Sequence, residues 1–320
     1  MRVLVTGSAG FIGSALTLRL LERGDRVIGL DNHNNYYDPA IKEARLARFG
    51  GHSNYNHLRV DLADRQAIEK CFSKYRPECV VNLAAQAGVR YSIDNPLEYI
   101  NSNIVGFAHI LEGCRHHGVE HLVYASSSSV YGANTTMPFS VHHNVDHPLS
   151  LYAASKKANE LMAHAYFSQY KTPSLGLRFF TVYGPWGRLD MAPIMFAEKI
   201  RKQQTVHLFA EGKLKRDFTY IGDTVFAISR LIELQIAKGR RDIVNIGHSN
   251  PIQVLDFLST LAGSLNMAPK IEFAPMQISD VPLTCANDQK LQEWIGPWPE
   301  TPIATGLNDM VQRLTKWEVT

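Results

Sequence analysis

The chain has 320 residues, 45% of them apolar and 20% charged, which suits one or two folded domains and excludes a disordered, collagen-like or low-complexity protein. Lysine and arginine number 33 against 30 aspartates and glutamates, so the net charge of +3 lacks the basic excess of a nucleic-acid binder. No apolar run approaches the ~20 residues of a membrane span.

In chain order, Val3-Leu4-Val5 reads as a buried strand at the very start, with no signal-peptide or transit pattern before it. Ile12, Ala15, Leu16 and Leu20 then recur at helical spacing, and Gly24 marks the stop. The second strand is Val27-Ile28-Gly29-Leu30, closed by Asp31. Further strands are predicted at 57–60, 79–83, 121–125 and 175–179, with helices at 64–74, 96–114 and 151–170 between them. Continuous apolar strands joined by helical crossovers predict an α/β fold, a Rossmann-type doubly wound parallel sheet covered on both faces. After about residue 180 the rhythm changes. Gly184-Pro185-Trp186-Gly187 is loop chemistry, followed by short strands at 206–209, 217–221 and 243–246 and helices at 192–202, 224–234 and 252–265. This predicts a smaller mixed α/β domain for substrate from 178–216 and 251–320, beside a dinucleotide domain from 1–177 plus about 217–250. The Pro- and Trp-rich stretch 277–302 reads as a loop. Cys71, Cys79, Cys114 and Cys285 lack metal or redox spacing and read as thiols in a reducing cytoplasm.

Two motifs carry chemistry. Thr6-Gly7-Ser8-Ala9-Gly10-Phe11-Ile12-Gly13 lies between the first strand and the first helix. Glycines there let the backbone approach a pyrophosphate seated at the helix N-terminus. Asp31, 18 residues after Gly13, suits ribose hydroxyls and repels a 2′-phosphate; with no Arg or Lys within 32–37, NAD is expected over NADP. Tyr152 and Lys156 stand four apart on one helix face, where an ammonium favours the phenolate, making Tyr152 a base toward a substrate hydroxyl. Ser126, Ser127, Ser128 and Ser129 follow a strand, at the edge where doubly wound sheets bind ligands. His142, His143, Asp146 and His147 cluster without a second group to complete a metal site, so no metal is expected.

Longer segments carry a resemblance. They are 31–38, 84–92, 124–132, 150–160, 177–187 and 216–221, and with them nearly the whole chain resembles the extended short-chain dehydrogenase/reductases that act on nucleotide sugars, UDP-glucuronate 4-epimerases in particular. The resemblance implies a catalytic set of Tyr152, Lys156 and Ser127, the last at the family's hydroxyl position four before Tyr131. It implies NAD contacts by Gly7, Gly10, Phe11, Ile12, Gly13, Asp31, Asn32, Asp61, Leu62, Ala84, Ala85 and Asn103, and by Tyr152 and Lys156, the latter on a nicotinamide-ribose hydroxyl. It also implies a UDP-sugar partner, and a homodimer in which helices 96–114 and 151–170 form a four-helix bundle. Asn82, His143 and Leu189 depart from the family's usual His, Asp and Pro.

Oxidising glucuronate at C4 makes a β-keto acid prone to lose carbon dioxide, so an epimerase must hold the carboxylate near the carbonyl plane. Ser128, Ser129 and Thr181 are the candidates, with Arg188 and Arg216 for the diphosphate, Asp280 for the uridine ribose, and Arg90 for the sugar or its carboxylate. Related 4,6-dehydratases carry an Asp-Glu pair after the catalytic hydroxyl, and related decarboxylases a Glu at the position of Ser129; this chain has serines. Decarboxylation or dehydration is the alternative reaction, and a nucleotide-sensing scaffold the alternative without catalysis.

Overall fold

The computed structural model describes residues 1–235, 237–277 and 280–314. Positions 278–279 of the expected 277–302 loop and 315–320 of the expected substrate domain lie outside the described residues. In chain order the strands are β1 (Arg2–Thr6), β2 (Arg26–Asp31), β3 (Tyr55–Arg59), β4 (Cys79–Asn82), β5 (His121–Ser127), β6 (Ser174–Phe179), β7 (Thr181–Tyr183), β8 (Thr205–Phe209), β9 (Lys215–Tyr220), β10 (Arg241–Ile246), β11 (Pro251–Gln253) and β12 (Lys270–Ala274). The helices are α1 (Phe11–Glu22), α2 (Ala40–Ala47), α3 (Arg65–Tyr75), α4 (Tyr91–Asp94), α5 (Pro96–Tyr99), α6 (Gly106–His116), α7 (Leu151–Tyr170), α8 (Ala192–Arg201), α9 (Ile221–Glu233), α10 (Val254–Leu265), α11 (Gln289–Ile295) and α12 (Ile303–Leu314).

Seven parallel strands form one sheet in the order β10-β6-β5-β4-β1-β2-β3. The order reverses beside β1, and the crevice at the carboxyl ends of β1 and β4 is where such a sheet takes its ligand. β4 and β6 are buried along their whole length, as strands covered on both faces must be. One face packs against α1, α9 and α11 through Leu16, Leu20, Ile228, Leu231 and Leu291. The other packs against α3, α6 and α7 through Phe72, Phe107, Ile110 and Ala163. A separate core of Ile194, Phe196, Phe257, Leu261, Leu307 and Met310 knits α8, α10 and α12 over two small sheets, β11-β9-β7 and β12-β8.

Local chemistry explains the helix ends. Asp64 caps α3 by accepting from the Ala67 N–H at 3.0 Å, and Ser150 caps α7 by accepting from the Ala153 N–H at 3.1 Å. α7 closes at Lys171 in the left-handed region. Three sequence expectations need correction. The helix expected over 96–114 is α5, a π-helical stretch over Ile100–Val105, then α6. The helix expected over 252–265 begins at Val254, because Ile252 is taken into an antiparallel pairing with β9. The stretch expected as loop over 277–302 contains α11, which is only seven residues long and buries Leu291 and Ile295 between prolines.

Candidate active site

The turn after β1 is built for close approach. Gly7 adopts φ +70°, and a Cβ on it would lie 2.8 Å from the Ala84 nitrogen; one on Gly13 would lie 2.0 Å from the Gly7 carbonyl oxygen. The Gly7 N–H donates to Leu30 at 2.7 Å, which ties the turn to β2. No side chain caps the N-terminus of α1. Its first N–H groups line one end of a cavity of about 740 Å³, with Gly7, Gly10, Phe11, Ile12 and Gly13 in its wall. Asp31, Asn32, Asp61, Leu62, Ala84 and Ala85 line the same cavity. Asn32 donates to Asp61 at 2.7 Å, joining the ends of β2 and β3. Glycine cradle, uncapped helix start and terminal carboxylate fit a dinucleotide, and the volume is that of a cofactor site. Asn103 does not line the cavity. It is buried behind it, accepting from the Gln86 N–H at 2.8 Å and donating to Ser155 at 2.9 Å, so it holds the 84–87 segment against α7.

Tyr152, Lys156, Ser127, Ser128, Ser129 and Thr181 line this cavity too. β5 delivers the serines, α7 the Tyr and Lys, and β7 starts with Thr181. Lys156 Nζ donates to the Ala125 carbonyl at 2.9 Å, and burial pushes its pKa down to about 8. Burial raises the pKa of Tyr152; Ser127 and the charge of Arg188 pull it back, and Asp190 opposes them. Desolvation is the first cause for both groups. Ser126 departs from the expected row of four hydroxyls: it lines the cavity with its neighbours, but its Oγ donates to Glu160 at 2.6 Å.

Glu160 follows Lys156 by one more helical step, at Tyr152, Lys156, Glu160 spacing. It receives Nε and Nη2 of Arg178 from β6, both at 2.8 Å, and both side chains are buried. This pair and Ser126 fasten α7 to β6 and β5, and so fix Tyr152 and Lys156 relative to Ser127.

Arg188, Arg216, Asp280 and Arg90 all line the cavity. Arg188 donates Nε to Asp190 at 3.0 Å, and Tyr36 donates to the same carboxylate at 2.9 Å. Burial works against the ionised Asp190, but Arg188 holds its carboxyl below the ordinary range. The charge of Arg188 also lowers the pKa of Tyr152. Arg216 faces Asp280 at 3.7 Å, and the Arg90 guanidinium lies 5.1 Å from the centroid of Phe209. Sequence reasoning missed Tyr36, Lys42 and Asp190, which also line the cavity. Tyr36 lies inside the 31–38 segment that carries the resemblance, while Lys42 and Asp190 belong to no motif and only their nearness to Asp31 and Arg188 hints at them. Asn82, one of the departures from the family pattern, accepts from Thr6 at 2.7 Å and so serves the β1–β4 seam.

The sequence profile of the NAD dependent epimerase/dehydratase family matches residues 3–247. Protein CapI of Staphylococcus aureus is 47% identical over 326 residues, covering 97% of each chain. A probable UDP-glucuronate 4-epimerase of Rhizobium meliloti is 38% identical, covering 99% of this chain and 96% of its own. Among solved structures, the UDP-glucuronic acid 4-epimerase of Bacillus cereus, in complex with UDP-glucuronic acid and NAD, superposes with a TM-score of 0.92 at 28% identity, covering 99% of each chain. The UDP-glucose 4-epimerase of Thermus thermophilus, in complex with NAD, superposes with a TM-score of 0.86 at 30% identity, covering 98% of this chain and 99% of its own. Family profile, cavity and fold agree: the chain belongs to the NAD dependent epimerase/dehydratase family of extended short-chain dehydrogenase/reductases, and its cofactor is NAD.

Proposed function

We propose that the protein interconverts UDP-glucuronate and UDP-galacturonate by transient oxidation at C4. The observation that carries this reading is that Ser128, Ser129 and Thr181 line the same cavity as Tyr152, with no acid at 128 or 129. Its relatives' names point the same way. NAD, when bound, would supply the hydride acceptor; Tyr152 acts as the phenolate, a form that Ser127 and the charge of Arg188 favour against burial. Tyr152 then takes the proton from the C4 hydroxyl, and Ser127 hydrogen-bonds the same oxygen. Lys156 braces the carbonyl end of β5 and offers its remaining N–H groups to a ribose. Return of the hydride to the other face of the keto-sugar completes the epimerisation, so no net redox change occurs.

The 4-keto acid formed on the way loses carbon dioxide when its C5–carboxylate bond stands parallel to the carbonyl π orbitals. Hydrogen bonds from Ser128, Ser129 and Thr181 hold that bond near the carbonyl plane. Arg188 and Arg216 serve the diphosphate, Asp280 the uridine ribose, and Arg90 the sugar or its carboxylate. We assign residues 178–216 and 251–314 to the nucleotide-sugar side and 1–177 with about 217–250 to the NAD side, except that β9 carries 217–220 into the small sheet.

Incubation with UDP-glucuronate, followed by NMR, is expected to yield UDP-galacturonate with little carbon dioxide. UDP-glucose is expected to be a poor substrate. In the Ser129→Ala, Thr181→Ala double variant, the share of decarboxylated 4-keto-pentose should rise as total turnover falls. Equal partitioning in the two proteins would move the carboxylate's anchor elsewhere. A wild type that prefers UDP-glucose would remove the glucuronate reading.

We also propose a homodimer in the cytoplasm. Ile93, Leu97 and Leu161 are 70%, 72% and 56% exposed on the layer formed by α4, α5 and α7, a large apolar surface to leave in water. Sedimentation at micromolar concentration should give twice the 35.9 kDa chain mass, with Leu97→Lys, Leu161→Lys returning it to one. A monomeric wild type would reject the dimer.

A further inference from the structure

Asp31 does not stand alone at the end of β2. Lys42, eleven residues on and within α2, reaches back to it: Nζ lies 3.2 Å from Asp31 Oδ1 and 3.0 Å from Asn34 Oδ1. Both members of the pair are buried, at 6% and 5% exposure, and both line the cofactor cavity. The His33 N–H donates to the same Asp31 oxygen at 2.9 Å. Around them, His33 is engaged by Glu43 and His57, both at 2.8 Å. Lys42 Nζ also lies 5.6 Å from the Tyr37 ring centroid. The corner that receives the adenosine ribose therefore carries a matched carboxylate and ammonium, not a bare negative charge.

That changes how the corner selects its nucleotide. A lone carboxylate rejects a 2′-phosphate by charge as well as by lost hydrogen bonds. Here an ammonium 3.2 Å away cancels most of that charge. An ammonium has three donors, and Asp31 and Asn34 take two of them. We propose that Lys42 is a specificity residue: with Asp31 ionised the pair reads ribose hydroxyls, the carboxylate accepting and the ammonium donating, and with the Asp31 charge removed the same ammonium becomes a 2′-phosphate site. Choice of NAD over NADP then rests on one carboxylate, and a buried ammonium waits behind it. The reason is energetic. Removing one partner of a buried ion pair leaves an uncompensated charge, and the phosphate of NADP is the anion that compensates it.

The inference concerns nucleotide binding and does not depend on which sugar is turned over. It is tested with Asp31→Asn, Lys42→Met and the double variant, each checked for folding by circular dichroism. Bound nucleotide is released by denaturation and identified by mass, and nucleotide-stripped protein is titrated calorimetrically with NAD and with NADP. Asp31→Asn is expected to raise the ratio of NADP to NAD affinity roughly 10²-fold, the scale of a charge repulsion lost and charge-assisted hydrogen bonds gained. Lys42→Met is expected to weaken NAD about 10-fold with no gain for NADP. The double variant should lose the NADP gain. An equal gain with and without Lys42 would overturn the proposal and point to Arg59, the register partner of Asp31 on β3. So would a folded Asp31→Asn protein that gains nothing, or a Lys42→Met protein whose NAD affinity is unchanged. A wild type that holds NAD and turns over a different sugar would leave this proposal standing and remove only the glucuronate reading.

Discussion

Turnover of the Tyr152→Phe protein is expected to fall by roughly 10²–10⁴-fold, the usual loss when a general base is removed. The substitution deletes one oxygen from a residue whose ring packs in a T-shaped contact on Tyr99, with centroids 6.1 Å apart, so the packing survives. Lys156 keeps its bond to the Ala125 carbonyl, since that bond does not involve the phenol. NAD content should match the wild type, and the thermal midpoint should stay close. Burial raises the proton affinity of Tyr152, and for that reason the phenol depends on neighbouring positive charge to act as a base. Steady-state kcat, with bound nucleotide measured on the same sample, checks the expectation. Activity near the wild-type level would show that another group takes the proton.

Glu160→Ala is expected to cost about 3–5 kcal/mol of stability, the range for breaking a buried ion pair from one side. Glu160 accepts two bonds from Arg178 and one from Ser126, and all three residues are buried. Arg178 Nη1 already has no hydrogen-bond partner, so when the carboxylate goes the guanidinium keeps chiefly its place 4.8 Å from the Tyr131 ring centroid. In a protein of this size the loss corresponds to a thermal midpoint lower by roughly 4–8 °C. Chemical denaturation of Glu160→Ala, Arg178→Met and the double variant forms the cycle that isolates the pair. The double variant should recover much of the loss, because no charge is then left buried alone. A single variant as stable as the wild type would mean that water reaches this seam and the pair does not fasten α7.

Much of this was legible in the residues. The bounds of α7 follow from a capping Ser150 and an uninterrupted helical pattern, and the reading of 151–170 coincides with the helix observed. The glycine turn and the six parallel strands through β6 follow from local signals of the same kind, a strand, a tight turn and an amphipathic helix repeated. What escaped the reading depends on groups meeting across sequence. Lys42 sits in α2, eight residues long with no strong cap, and nothing local says that its ammonium returns to Asp31. Asn103 was expected at the cofactor; only the packing of the π-helical stretch against α7 turns it toward Gln86 and Ser155. For Tyr152 and Lys156, helical spacing identifies the pair, but the direction of each pKa is set by burial, which a sequence motif does not contain.

The route of the chain through the main sheet also bears on its synthesis. β6 pairs with β5 on one side and β10 on the other, yet about 60 residues separate Phe179 from Arg241, and β7, α8, β8, β9 and α9 are made between them. At ~5–20 residues per second, the ribosome takes roughly 3–12 s to deliver the covering strand. During that interval β6, a strand with every residue buried in the finished protein, presents an open row of backbone donors and acceptors to whatever lies beside the emerging chain.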